Sequence, residues 1–142
     1  MVMEKERIEI VEYGKKLITE GLTKGTGGNI SICNQEEGLM AISPSGIDYF
    51  AMTPEDVVVM KLDGTVYDGI RKPSSEYHLH SLVYRARKDV GAVVHTHSTY
   101  AAVMSVLRES LPPVHYMIAI TGAHQVECAE YATFGTEKLA EN

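Results

Sequence analysis

The sequence predicts an α/β or α+β chain, and three stretches of its 142 residues carry that expectation. An amphipathic helix opens the chain, a strand-rich half with glycine turns runs on to Met60, and helices alternate with strands beyond Pro73. With 13 Lys+Arg against 19 Asp+Glu the formal charge is −6, and 44% hydrophobic with 23% charged residues fits one globular domain over residues 1–142. An acidic balance without a Lys/Arg-rich stretch leaves no electrostatic footprint for nucleic acid or an anionic membrane surface. No apolar run approaches the ~18 residues that span a bilayer, and charged Glu4 to Arg7 stand where a signal peptide has its apolar core, so the expected location is the cytoplasm.

The elements follow in order. From Glu4 to Leu22, Ile8, Val11, Ile18 and Leu22 recur at helical spacing, and Gly21 marks the stop. The turn Gly25-Thr26-Gly27-Gly28-Asn29 leads into the alternating Ile30-Ser31-Ile32-Cys33, a half-buried strand whose hairpin partner is Gly38 to Ser43. Pro44-Ser45-Gly46 is a turn, Thr53-Pro54-Glu55-Asp56 a capped short helix, and Val57 to Met60 an apolar strand ended by Asp63-Gly64. Ser74-Ser75-Glu76 opens a helix carrying Leu79, Leu82, Val83 and Ala86, and Gly91 precedes the strand Ala92 to His97. Thr99 to Arg108 is a third helix, Pro112-Pro113 break it, and Val114 to Ile120 reads as a strand. The closing Thr136 to Asn142 has an N-cap and good helix formers for about two turns. Cys33 and Cys128 form no Cys-x-x-Cys pair and are read as reduced bystanders.

Two His-x-His pairs invite a metal reading, and geometry separates them. In a helix, residues i and i+2 point about 200° apart, so His78 and His80 diverge, whereas a strand puts His95 and His97 on one face. A metal site needs a further ligand, and Glu76, at the start of the preceding helix, is a candidate. The simpler reading of Glu76 is a carboxylate favoured by the helix dipole, and that of any one histidine is a hydrogen-bonded core or surface residue. Gly25 to Asn29 offers free backbone N–H groups, a hydroxyl and an amide, and Ser74-Ser75 adds hydroxyls at a helix N-terminus, where an anion is favoured. Alone, the glycine segment reads as a plain turn, since it is neither a P-loop nor a dinucleotide fingerprint.

Five motifs in order change the weight of these features: Gly25-Thr26-Gly27-Gly28-Asn29-Ile30-Ser31, Ser43-Pro44-Ser45-Gly46, Pro73-Ser74-Ser75-Glu76, His95-Thr96-His97-Ser98, and Tyr131-Ala132-Thr133-Phe134-Gly135-Thr136. Together, from about Glu9 to Asn142, they resemble the class II aldolase family of the fuculose-phosphate type. The resemblance implies a three-layer α/β/α domain with a mostly antiparallel central sheet, assembled as a homotetramer with active sites between subunits. It implies one Zn2+ per subunit held by a Glu and three His, matching Glu76, His95 and His97 here. The phosphate pocket would match Thr26, Gly28, Asn29, Ser45 with Gly46, and Ser74 with Ser75. Tyr116 would match the residue that protonates the departing aldehyde across the subunit boundary, and Phe134 an aromatic near the substrate. The family's third zinc histidine falls well beyond the Phe134 position and has no counterpart here, so the chain is expected to lack the C-terminal third of such a domain.

The implied reaction is reversible cleavage of a ketose 1-phosphate, most like L-fuculose 1-phosphate, to dihydroxyacetone phosphate and an aldehyde such as L-lactaldehyde. Zinc would act as the Lewis acid and Glu76 would carry the proton. Two related activities stand beside it: a pentulose 5-phosphate 4-epimerase, which usually has Asp at the Glu76 position, and a methylthioribulose-1-phosphate dehydratase or aldolase. A non-catalytic binding module like the adducin head is the alternative of a different class, and it has no need of the metal ligands.

Overall fold

The computed structural model describes residues 1–142 apart from the side chain of Thr121. Helix α1 (Glu4–Thr19) turns Ile10, Val11 and Leu17 inward. It ends where Gly21 takes φ +68°, a left-handed geometry that costs glycine little, and Leu22 N–H bonds back to Leu17 O at 3.0 Å.

Strands β1 (Asn29–Asn34), β2 (Leu39–Ile42), β3 (Val58–Lys61) and β4 (Val66–Asp68) follow. After helix α2 (Tyr77–Ala86), strand β5 (Ala92–His95) completes one sheet in the order β4-β3-β2-β1-β5, antiparallel throughout. Side chains alternate between its faces. Ile30, Leu39, Ala41, Val57 and Val59 meet α1 on one side, while Met40, Ile42, Val58 and Met60 pack with Tyr84 of α2 on the other. The architecture is therefore the three-layer α/β/α arrangement with an antiparallel sheet that the motifs imply.

Arg7 of α1 is buried in the first layer and fully engaged. Its guanidinium donates to the carbonyls of Val2, Pro54 and Val57 and to Asp68 Oδ2 at 2.6 Å, which offsets the cost of burying its charge.

Four local expectations are corrected. Thr53 to Asp56 is a turn rather than a helix, because the Asp56 carboxylate accepts both Thr53 N–H (2.9 Å) and Thr53 Oγ1–H (3.0 Å) and the chain enters β3 directly. Strand β4, unforeseen in the sequence, is three residues long and largely exposed, too short to show an alternation. Val114 to Ile120 is not a strand: Tyr116–Thr121 form a 3-10 helix, α-like but tighter, with His115 Nδ1 accepting Met117 N–H at 3.2 Å. A strand needs a neighbour for its backbone groups, and here local hydrogen bonds serve instead. Finally, β5 stops at His95, so His97 lies beyond the strand.

Helices α3 (Thr99–Leu107) and α4 (Glu137–Glu141) match expectation, Thr136 Oγ1 capping the latter through Leu139 N–H at 3.3 Å. Beyond Tyr84 no described residue is buried. Among the described residues no helix is long and apolar enough to cross a membrane.

Candidate metal centre

The centre forms where β1, β5 and the start of α2 meet. Antiparallel pairing sets Asn29 directly opposite His95, so their side chains share the sheet face that α2 covers. Glu76 immediately precedes α2, where its backbone N–H bonds to Ser74 Oγ at 3.3 Å. These placements bring ligand atoms of Glu76, His95 and His97 within 4.8 Å of one another.

Within the cluster, Glu76 Oε2 lies 3.5 Å from His95 Nε2, and His95 Nε2 lies 2.8 Å from His97 Nε2. A tetrahedral ion with bonds near 2.05 Å separates its ligand atoms by about 3.3 Å, so small side-chain adjustments let this N,N,O set close on a divalent cation. Burial holds the His95 imidazole below its ordinary pKa, with Glu76 opposing that and the His97 ring adding to it. A neutral imidazole is the form that ligates metal.

The glycine turn supports the histidines from beneath. Gly28 has φ +67°, and a Cβ there would stand 2.6 Å from the His95 carbonyl oxygen. His97 N–H donates to Leu22 O at 3.2 Å, which fixes the backbone just past the strand. Tyr49 Oη donates to Gly28 O at 2.9 Å and anchors the turn to the α1 layer.

The expected phosphate-binding residues come from three segments. Pro44 and Pro73 form a β-bridge, with Ser45 N–H to Lys72 O at 2.9 Å and Ser74 N–H to Ser43 O at 3.1 Å, so the Ser45-Gly46 and Ser74-Ser75 turns run side by side. Ser45 and Gly46 are exposed and Ser74 is buried. Thr26 is exposed in the glycine turn, next to the Gly27 and Gly28 that underlie the histidines. Asn29 points elsewhere than expected of a simple anion ligand, since its Nδ2 donates to Glu76 Oε2 at 2.8 Å.

The two aromatic candidates stand apart from the cluster. Tyr116 is 78% exposed and rests on the His115 ring, 4.4 Å between centroids, and no described contact joins it to Glu76, His95 or His97. Phe134 is also exposed, although the adjacent Gly135 packs against Ser75, where a Cβ would lie 2.9 Å from its carbonyl oxygen.

Against this geometry, a family model described as Class II Aldolase and Adducin N-terminal domain matches residues 8–142. The chain belongs to that family. Across 141 residues the family member is 58% identical to a 5-deoxy-D-ribulose 1-phosphate aldolase of Bacillus thuringiensis serovar kurstaki, covering 99% of this chain and 66% of that one. It is 38% identical over 142 residues to the L-fuculose phosphate aldolase of Escherichia coli K12, covering 99% and 65%. A solved L-fuculose 1-phosphate aldolase superposes with a TM-score of 0.91 at 50% identity, over 96% of this chain and 64% of that one. The class II aldolase chain thus spans about two thirds of the length of the relatives it matches.

Sequence reasoning passed over three residues that touch this site indirectly. His80, set aside because it diverges from His78, is fully buried, with Nδ1 2.6 Å from Ser31 Oγ and Nε2 hydrogen-bonded to Asn29 Oδ1. Tyr84 Oη lies 2.7 Å from Ser31 Oγ. The available signal was polar periodicity: Glu76, His80 and Tyr84 fall at i, i+4 and i+8 on a helix, and Asn29 and Ser31 at i and i+2 on a strand.

Proposed function

We propose that the intact protein is a zinc-dependent aldolase that reversibly splits a ketose 1-phosphate between C3 and C4. The products are dihydroxyacetone phosphate and a short aldehyde. The observation that carries this reading is the convergence of Glu76, His95 and His97 beside paired serine and glycine turns. Two imidazoles and a carboxylate suit zinc and leave positions open for substrate oxygens.

When bound, the ion supplies Lewis acidity to the substrate oxygen on which negative charge builds up as the bond breaks. Glu76, clustered with both histidines, supplies the proton that C3 gains as the bond breaks and recovers it in the condensation direction. Thr26, Gly28, Ser45, Gly46, Ser74 and Ser75 hold the phosphate, while the Asn29 amide is engaged by Glu76 instead, so binding energy remote from the reacting bond orients the substrate. Tyr116, exposed on its own subunit, takes the C4 hydroxyl proton as the aldehyde departs from a neighbouring site and returns it in the condensation direction, and Phe134 lines the substrate beside Ser75. The exposed apolar side chains of α3 and the segment after it support a homotetramer, and the cytoplasm is its proposed location.

For the sugar, the 58% identity to a 5-deoxy-D-ribulose 1-phosphate aldolase favours that substrate class over the L-fuculose 1-phosphate suggested by the motifs alone. Both yield the same three-carbon phosphate; the former releases acetaldehyde and the latter L-lactaldehyde. Turnover of the intact protein with each sugar phosphate, before and after chelation and zinc return, tests the reading. Cleavage of 5-deoxyribulose 1-phosphate that chelator abolishes and zinc restores is expected. Preference for L-fuculose 1-phosphate revises the sugar alone, and no metal-dependent cleavage of either overturns the proposal.

A further inference from the structure

Five side chains form a continuous hydrogen-bonded line from the centre of the α2 layer to the metal cluster: Tyr84, Ser31, His80, Asn29 and Glu76. Its polarity follows from donor and acceptor capacity. An ionised Glu76 carboxylate can only accept, so the Asn29 group 2.8 Å from Oε2 is the amide NH2. That leaves Asn29 Oδ1 facing His80 Nε2, which must then be the protonated ring nitrogen. His80 Nδ1 is consequently the acceptor, and Ser31 Oγ–H donates to it across 2.6 Å. With its only proton used, Ser31 Oγ accepts from Tyr84 Oη–H, which also reaches the Ser31 carbonyl at 3.0 Å.

The links from Tyr84 to Asn29 are enclosed, since Ser31, His80 and Tyr84 are fully buried and Asn29 nearly so, while the Asn29–Glu76 bond at the cluster end is part-buried. Burial also keeps both titratable members neutral, pushing His80 down to about 3 and Tyr84 up to about 12. A neutral His80 has one donor and one acceptor nitrogen, as the one-way order requires.

We infer that His80 is a positioning residue: as the Nε2–H tautomer set by Ser31 and Tyr84, it locks the Asn29 amide so that its NH2 holds Glu76 toward His95 and His97. Without the His80 donor, the amide is free to rotate and present its oxygen to the carboxylate, which repels Glu76 from the cluster. The inference rests on Glu76 being a metal ligand, as proposed above, but its first readout needs no metal.

The test compares the intact wild-type protein with His80→Ala and His80→Gln, the glutamine amide being able to return a donor near the Nε2 position. Nitrogen-15 spectra of the metal-free protein report the His80 tautomer and the Asn29 side-chain amide. The expected wild-type result is the Nε2–H tautomer and a slowly exchanging Asn29 Nδ2 proton, lost in His80→Ala and regained in His80→Gln. Zinc affinity by chelator competition should fall about 10–100-fold in His80→Ala and recover in His80→Gln. If His80→Ala does not fold, Ser31→Ala, which removes the donor to Nδ1, is read instead and should shift the tautomer. An Nδ1–H tautomer in the wild type, or unchanged amide exchange and zinc affinity in a folded His80→Ala, overturns the inference. Wild-type protein that shows the expected spectra yet binds no zinc counts against the metal reading alone.

Discussion

His95 Nε2 and His97 Nε2 stand 2.8 Å apart although the strand carrying His95 ends at that residue. The rings meet edge to face, 4.9 Å between centroids at 75°. His97 lies in the irregular segment just past the strand, where its N–H donates to Leu22 O at 3.2 Å. His95→Ala in the intact protein should therefore weaken zinc binding by more than the roughly 10–100-fold typical of residues behind the ligands. Stoichiometry and affinity measured against a competing chelator check this, and wild-type values would remove His95 from the site.

Glu76→Gln keeps an oxygen near His95 but removes the group that takes up a proton. The variant should retain bound zinc while turnover falls by about 10²–10⁴-fold. Turnover at the wild-type rate would mean that another group moves the proton.

Gly28→Ala should destabilise the site as well as the fold. The left-handed conformation alone costs a non-glycine residue about 1–2 kcal/mol, and the added methyl collides with the His95 carbonyl. Thermal melting should shift down and zinc affinity should drop with it. A variant with an unchanged melting temperature would show that the turn is looser than its hydrogen bonds imply.

Stability of the metal-free protein should fall as pH drops from neutral toward about 3. His80 titrates near 6.5 when unfolded but only at about 3 when folded, because burial disfavours its charged form. Between those values the unfolded chain binds the extra proton, so ΔG of unfolding declines by up to about 1.4 kcal/mol per pH unit from this group. Urea melts at pH 7, 6 and 5 should show this slope, and it should flatten in His80→Gln. Equal slopes in both proteins would remove His80 as the cause.

The exposed apolar side chains Tyr100, Val106, Val114, Tyr116, Ile120 and Tyr131 all lie in a region where no described residue is buried. A groove of about 950 Å³ between α3 and residues 126–131 adds to this surface. Burying such large apolar side chains against a neighbouring subunit would be favourable. Sedimentation of the intact protein should give a tetramer, and a dilution-resistant monomer would refute the assembly.

Much of the fold was legible because burial leaves a periodic record. Strands β2 and β3 read as apolar runs, and α1 shows its inward face, since each residue's solvation is set by local geometry. The 3-10 helix at Tyr116–Thr121 was misread because β-propensity describes fit to a neighbouring strand, and no described strand lies alongside. His80 escaped notice because a histidine's partners come from another element, here β1, which sequence spacing within α2 cannot reveal.

The sequence by itself determined the order of the main elements apart from β4 and the 3-10 helix, together with the glycine turns, the family motifs and the candidate ligands Glu76, His95 and His97. Tertiary structure alone decided how those ligands meet and which residues stand behind them. Antiparallel register sets Asn29 opposite His95, and the packing of α2 places His80 and Tyr84 over Ser31. The physical reason is range: periodicity and turn chemistry act within a few residues, whereas a hydrogen-bonded line such as Tyr84 to Glu76 exists only after distant segments exclude water together.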